Sequence, residues 1–169
     1  MIDGSGIVQW RPAARPDVLR LRARLKARIR QFFDSLGVLE VDTPVLSAAA
    51  PTDPHIHSLT TRVVGEAGAR FLQTAPEVPM KRLLAAGVGD GWQLARVFRD
   101  GERGRLHCPE FDLLEWYRTG LDHHALMDEV VTLVRRVVEP ERPVPGVSKL
   151  SYRAAFVEHA GIDPLERDR

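Results

Sequence analysis

The sequence predicts an α+β fold, and three observations carry that expectation. Over residues 17–36, Leu21, Leu25, Ile29, Phe32, Phe33 and Leu36 recur at steps of three and four, the period of an amphipathic helix. Residues 92–98 and 110–118 alternate in strand fashion around a polar, basic loop at 100–109, which reads as a long-looped antiparallel hairpin. Beyond it, Leu126, Val130, Leu133 and Val137 form one further helical stripe.

In chain order, residues 1–16 are rich in Gly, Pro and Arg and read as an irregular lead-in. The first helix is expected to start at Asp17 as N-cap and to end at Gly37, a natural left-handed terminator. Val38-Leu39-Glu40-Val41 reads as a short strand stopped by Thr43-Pro44, and 47–57 as a loop of Ala, Pro, Asp and His. Leu59–Val64 and Phe71–Thr74 read as two strands joined by Gly65-Glu66-Ala67-Gly68. Pro76–Ala86 reads as a short helix, because proline is tolerated in a first turn, with Gly87 behind it. Asp122 is placed to cap the second long helix. Residues 139–146 form a stiff Pro-rich connector, and Ser151 caps a last helix, Tyr152–Ala160, closed by Gly161.

Composition narrows the function. Hydrophobic residues make up 44% of 169 and charged ones 28%, so a core can form and wholesale disorder is not expected. Lys+Arg number 24 against 23 Asp+Glu, and a net charge of +1 argues against a purely electrostatic polyanion binder. The charge is unevenly spread: from Arg11 to Arg30 eight basic residues accompany one acid, Asp17. That run reads either as a solvated helix face or as a surface for RNA or an acidic partner. One cysteine, Cys108, excludes an internal disulfide framework and suits a reducing, cytoplasmic setting. No apolar run approaches the roughly 20 residues that span a bilayer, and Met1–Gly6 does not read as a signal peptide.

Several chemical devices are missing. There is no G-x-x-x-x-G-K-S/T loop, no dinucleotide fingerprint at Gly87-Val88-Gly89-Asp90-Gly91, and no G-x-S-x-G elbow. His55 and His57 lack a third ligand at diagnostic spacing, His123-His124 sits at a helix start, and Cys108 has no assigned base. The second hairpin strand is different. Its period of two puts Phe111, Leu113, Glu115 and Tyr117 on one face, roughly 7 Å apart. A carboxylate in mid-strand is expensive to bury unpaired, so its alignment with an aromatic ring and a phenol points to a pocket that stacks a flat base and grips an ammonium group. Arg99, Arg103, Arg105 and His107, just upstream, are donors suited to a polyphosphate.

These residues resemble a known family. The run from Val97-Phe98-Arg99-Asp100 through Gly104-Arg105-Leu106-His107-Cys108-Pro109-Glu110-Phe111 to Leu114-Glu115-Trp116-Tyr117-Arg118 is similar to motif 2 of class II aminoacyl-tRNA synthetases, in its lysyl form. The segment about 17–44, with Pro44, resembles motif 1, motif 2 spans about 92–118, and Phe71–Glu77 with Met80-Lys81-Arg82-Leu83 resembles the lysyl-type amino-acid segment. Within the family the likeness is nearer to the branch that attaches (R)-β-lysine to elongation factor P, through the short lead-in before motif 1, Leu84-Ala85-Ala86-Gly87, Leu114–Arg118 and the stretch from Leu150-Ser151-Tyr152 to Ile162-Asp163-Pro164-Leu165. The resemblance implies an antiparallel sheet flanked by helices, present here as an incomplete, N-terminal half: lead-in 1–16, catalytic-core half 17–138, then 139–169 as linker and start of a helical insertion.

The resemblance also implies roles. ATP would be bound by Arg99, Asp100, Gly101, Glu102, Arg105, His107, Cys108 and Phe111, with Arg99 catalytic at the α-phosphate and Phe111 stacked on adenine. Ala75, Pro76 and Glu77 would meet the substrate amino group, and Glu115 and Tyr117 the ε-ammonium of lysine or (R)-β-lysine. Mg²⁺ ligands and motif 3 are expected beyond Arg169, so no metal ligand is assigned in this chain, and the chain alone is expected to be inactive. The acceptor would be elongation factor P, or lysine tRNA if the chain is a lysyl-tRNA synthetase core; motif 1 implies a homodimer, and no membrane is involved. A non-catalytic dimerising or binding remnant and an RNA-binding module are the readings of other classes. Three departures stand out: Gly101 where the family's Arg-x-Glu has glutamate, Cys108 where it has asparagine, and Ala75 where the elongation factor branch has serine.

Overall fold

The computed structural model describes residues 12–166; most of the lead-in, including Arg11, lies outside the described residues. Helix α1 (Pro16–Ser35) has its N-cap two residues earlier than expected. Pro16 needs no N–H partner and has a helical φ fixed by its ring, so Arg15 becomes the N-cap, without a side-chain cap. Asp17 instead sits in the first turn, where its carboxylate meets the positive end of the helix and pairs with Arg15 at 2.9 Å. At the other end Gly37 adopts φ +67°, and the N–H groups of Gly37 and Val38 reach the carbonyls of Asp34 and Phe33 at 3.0 Å each. This left-handed closure turns Val38 back into the core.

Two small sheets follow. In the first, β1 (Leu39–Glu40) lies parallel to the start of β5 (Gly91–Phe98), which pairs antiparallel with β6 (Glu110–Tyr117) in continuous register from Gly91↔Tyr117 to Phe98↔Glu110. In the second, β2 (Leu46–Ser47) and β3 (Thr60–Thr61) flank β4 (Arg70–Leu72). The expected pairing across the Gly65–Gly68 turn is present, but its strands are shorter than expected, because Thr60 and Thr61 stay exposed and bury no side chain. Ser47, expected in a loop, is drawn into β2 by pairing with Phe71. The sheets are joined where the Phe98 N–H donates to the Gln73 carbonyl and Gln73 Nε2 to the Arg96 carbonyl, both at 2.9 Å.

Helix α2 (Glu77–Ala85) stands between β4 and β5 in the chain, and α3 (His123–Val138) packs beside α1. Asp122 caps α3 as expected, accepting from the Ala125 N–H at 2.8 Å. The core forms where α1, α3 and the first sheet meet: Phe32, Phe33, Val38, Trp92, Leu133 and Val137. The Phe33 ring stacks on Trp92 at 4.8 Å and leans on Trp116 at 5.6 Å. Only the C-terminal half of the expected α3 stripe is buried, with Val130 left exposed, because α3 meets α1 through its last turns. Ser151 and Gly161 bound α4 (Tyr152–Ala160) as expected, yet no residue of α4 is buried.

Hydrogen bonding fixes which edge of the hairpin is bare. Leu39 and Val41 donate to the carbonyls of Asp90 and Trp92, and Phe98 donates to Gln73, so even-numbered residues of β5 face away from β6. By the same alternation Phe111, Leu113, Glu115 and Tyr117 bond to β5. The N–H and C=O groups of Asp112, Leu114 and Trp116 point outward and have no backbone partner among the described residues.

Candidate active site

The two faces of β6 divide as the alternation predicts. Leu114 and Trp116 pack against the core beneath α1. Asp112, on the same face, takes Lys26 at 2.7 Å and Arg96 at 3.1 Å, together with Arg22. Burial alone would push the Asp112 carboxyl up; the Lys26 hydrogen bond and charge, with Arg96 and Arg22, outweigh it and hold the group below its ordinary value. The opposite face presents Phe111, Leu113, Glu115 and Tyr117.

At one end of that face the Tyr117 hydroxyl donates to Glu115 Oε1 at 2.7 Å. Burial raises the Glu115 carboxyl above its usual range; the Tyr117 hydrogen bond and the Lys81 ammonium pull it down, and the charge of Glu77 pushes it up. Burial also raises the Tyr117 phenol, reinforced by its bond to Glu115, so it stays a donor. Tyr117 rests against an apolar slot formed by Val41, Met80, Leu83, Leu84 and Val88, which brings α2 to this end of the strand. Buried Pro76 anchors the start of α2, Ala75 precedes it half-buried, and Glu77 is exposed in the first turn, ion-paired with Lys81 one turn on. The structure thus gathers Glu77, Glu115 and Tyr117 into one electrostatic cluster.

At the other end Arg99 lies over the Phe111 ring, its guanidinium carbon 5.2 Å from the ring centre. Its Nε donates to the Thr74 carbonyl at 3.3 Å, and its fork faces Glu102 at 3.7 Å. Glu102 therefore supplies the carboxylate beside Arg99 that Gly101 cannot. Asp100 is engaged elsewhere: its carboxylate accepts from the Gly101 N–H at 2.8 Å and its own N–H donates to the His57 carbonyl at 2.8 Å. Gly101 takes φ +77°, which lets the loop turn between the two. Arg99, Glu102, His107, Cys108 and Phe111 line one open groove of about 610 Å³, while Arg105 is exposed and does not line it.

The basic face of α1 is answered within the chain. Besides Arg22 and Lys26 on Asp112, Arg24 and Arg28 pair with Glu141 at 3.1 and 2.9 Å, and Arg30 with Glu40 at 3.1 Å. The run that reads as a surface for RNA or an acidic partner is thus largely a set of ties to the hairpin, the connector and β1. Sequence reasoning missed two groups. The i,i+4 spacing of Glu77 and Lys81 on a helix marks their pairing in advance. The buried bond from Thr43 Oγ1 to Gln93 Oε1, 2.8 Å, joins residues 50 apart and leaves no local signal.

An aromatic ring beneath an arginine and a half-buried carboxylate–phenol pair share one face of an antiparallel hairpin behind a long helix. The family model for class II tRNA synthetases (D, K and N) matches residues 5–164, and the chain belongs to this family. Among its relatives, elongation factor P–(R)-β-lysine ligase of Vibrio vulnificus is 48% identical over 161 residues, covering 93% of this chain and 49% of that protein. The ligases of the same name from Edwardsiella ictaluri and Yersinia enterocolitica are 46% and 45% identical over 169 residues, covering 98% of this chain and 51% of each. The chain spans about half the length of the curated relatives it matches.

Proposed function

We propose that this chain supplies the substrate-facing half of an ATP-dependent ligase that activates (R)-β-lysine, or lysine, as an adenylate and transfers it to a lysine of elongation factor P. One observation carries the reading: Glu115 sits in mid-strand, bonded to Tyr117 and within the field of the Glu77 charge, on the same strand face that holds Phe111 under Arg99. Glu77 takes one ammonium of the substrate, and Glu115 with Tyr117 takes the other. Phe111 stacks on adenine, while Arg99, steadied by the Thr74 carbonyl and Glu102, faces the α-phosphate. A substrate carboxylate oxygen attacks the α-phosphorus in line; the bond to the β-phosphate breaks and pyrophosphate leaves. The acceptor amine then attacks the acyl carbon, forming an amide and releasing AMP. Arg99 contributes where negative charge grows in the first step.

Among the described residues no group of three or more His, Cys, Asp or Glu converges to hold a metal. Likewise, no helix among them is long and apolar enough to cross a membrane. The homodimer is part of the proposal, supported by Val18 and Leu19 standing exposed on α1, Leu36 just past its end and Leu39 on β1. The test is a thermal-shift and pyrophosphate-exchange series with ATP, lysine and (R)-β-lysine, followed by acceptor assays. Expected are ATP- and amine-dependent rises in Tm, with (R)-β-lysine passed to elongation factor P wherever exchange is seen. Efficient charging of tRNA with lysine would move the reading to a lysyl-tRNA synthetase core. Absence of any ATP-dependent shift would leave a non-catalytic binding chain.

A further inference from the structure

Among the described residues, Lys81 is the ammonium group that pairs with Glu77 and whose charge acts on Glu115. It projects from the second turn of α2 onto Glu77, and its charge is felt at Glu115 across the gap between helix and strand. Two carboxylates that repel one another there are thus compensated by a side chain of the protein. That is the chemistry a bound diamine would supply. Lys81 and Glu77 are each more than half exposed, so the pair is free to part, and an exposed ion pair is weak.

We propose that Lys81 is the resident counter-ion of the substrate-ammonium site, holding Glu77 until a substrate ammonium replaces it and so setting the affinity for diammonium ligands. The inference rests on reading Glu77, Glu115 and Tyr117 as an amine site. Lys81 is a positioning residue: it acts by occupying and neutralising Glu77, and a ligand binds fully only to the fraction of molecules in which Glu77 is free. A monoammonium ligand that fills only the Glu115–Tyr117 end leaves the pair intact and gains nothing from its loss. The groups that face Glu115 are Tyr117 on its own strand and Glu77 and Lys81 on α2; Gln93, opposite it on β5, is uncharged.

The experiment is calorimetric titration of the wild-type chain, Lys81→Met and Lys81→Arg with 1,5-diaminopentane, (R)-β-lysine and the monoammonium ligand 6-aminohexanoate, repeated across pH. Lys81→Met should bind both diammonium ligands about two- to fivefold more tightly, the range an exposed ion pair allows, with 6-aminohexanoate unchanged. Lys81→Arg should behave as wild type. The acid limb of diamine binding should move to higher pH in Lys81→Met, because Glu115 loses a neighbouring positive charge, a readout that a merely helix-stabilising pair would not move. Equal or weaker diamine binding by Lys81→Met, with an unmoved acid limb, overturns the role of Lys81. The amine-site reading survives that result if Glu115→Gln abolishes wild-type binding. If neither the wild type nor Lys81→Met takes up any diamine while both unfold cooperatively, the amine-site reading fails and the inference with it.

Discussion

Glu115 shows what a single half-buried carboxylate does to the pH dependence of the fold. Its carboxyl is raised in the fold, chiefly by burial, so the folded chain holds this proton more tightly than the unfolded chain does. Its contribution to stability is therefore greatest below the ordinary carboxyl value and is lost as pH rises through the folded value. Glu115→Gln keeps an acceptor for the Tyr117 hydroxyl and removes the penalised charge. It should gain about 1–3 °C in Tm at pH 7 and nothing at pH 4. The same variant should lose at least about tenfold in diamine affinity, the scale of one charge-assisted hydrogen bond. Parallel thermal melts and titrations measure both effects. The residue was legible in the sequence because a mid-strand carboxylate flanked at i±2 by Leu113 and Tyr117 has no ordinary core role. Its dependence on Lys81 was not, since the two are 34 residues apart in the chain, with strand β5 between them.

At the scale of the element, the hairpin is the best-read part of the chain. Alternation alone assigns the side chains of β6 to their faces, because a strand has a fixed period of two. It does not say which backbone groups find a partner. That follows from β5 being covered on both sides, by β6 and by β1 with Gln73, while β6 pairs on one side only. Hydrogen exchange should therefore alternate along β6, with the amides of Asp112, Leu114 and Trp116 exchanging at least about tenfold faster than those of Leu113 and Glu115. Uniform protection along the strand would mean that its outer edge is covered in solution. Helix ends show a similar division. Ser151 and Asp122 act as caps by local chemistry alone, whereas the start of α1 is decided between Pro16 and Asp17 by ring geometry.

Across the molecule, Asp112 ties the long helix to the hairpin. One largely buried carboxylate collects Lys26 and Arg22 from α1 and Arg96 from β5, next to the ring that Arg99 covers. Its carboxyl is held below its ordinary value, so its contribution to stability is present above the unfolded carboxyl value and lost as pH falls through the folded one. Asp112→Asn should lower unfolding stability by about 1–3 kcal/mol at pH 7, and the difference should shrink in strong acid, as wild type too takes up the proton. Urea midpoints at neutral pH and in strong acid test this. An equal loss at both would assign the effect to packing.

What the sequence determined by itself are the features written in nearest neighbours and short periods. These are the helices with their caps, the faces of β6, and the motif run whose order matches the class II family. Each is a local steric or hydrogen-bonding preference, repeated at intervals of two to four residues. What only the tertiary structure decided are the partnerships that span the chain. The basic run of α1 becomes a set of internal ion pairs because Asp112, Glu141 and Glu40 are folded onto it. Glu102, and not Asp100, stands beside Arg99 because the His57 carbonyl and the Gly101 turn claim Asp100 first. Charge interactions depend on distance in space and on burial, and neither is a function of distance along the chain.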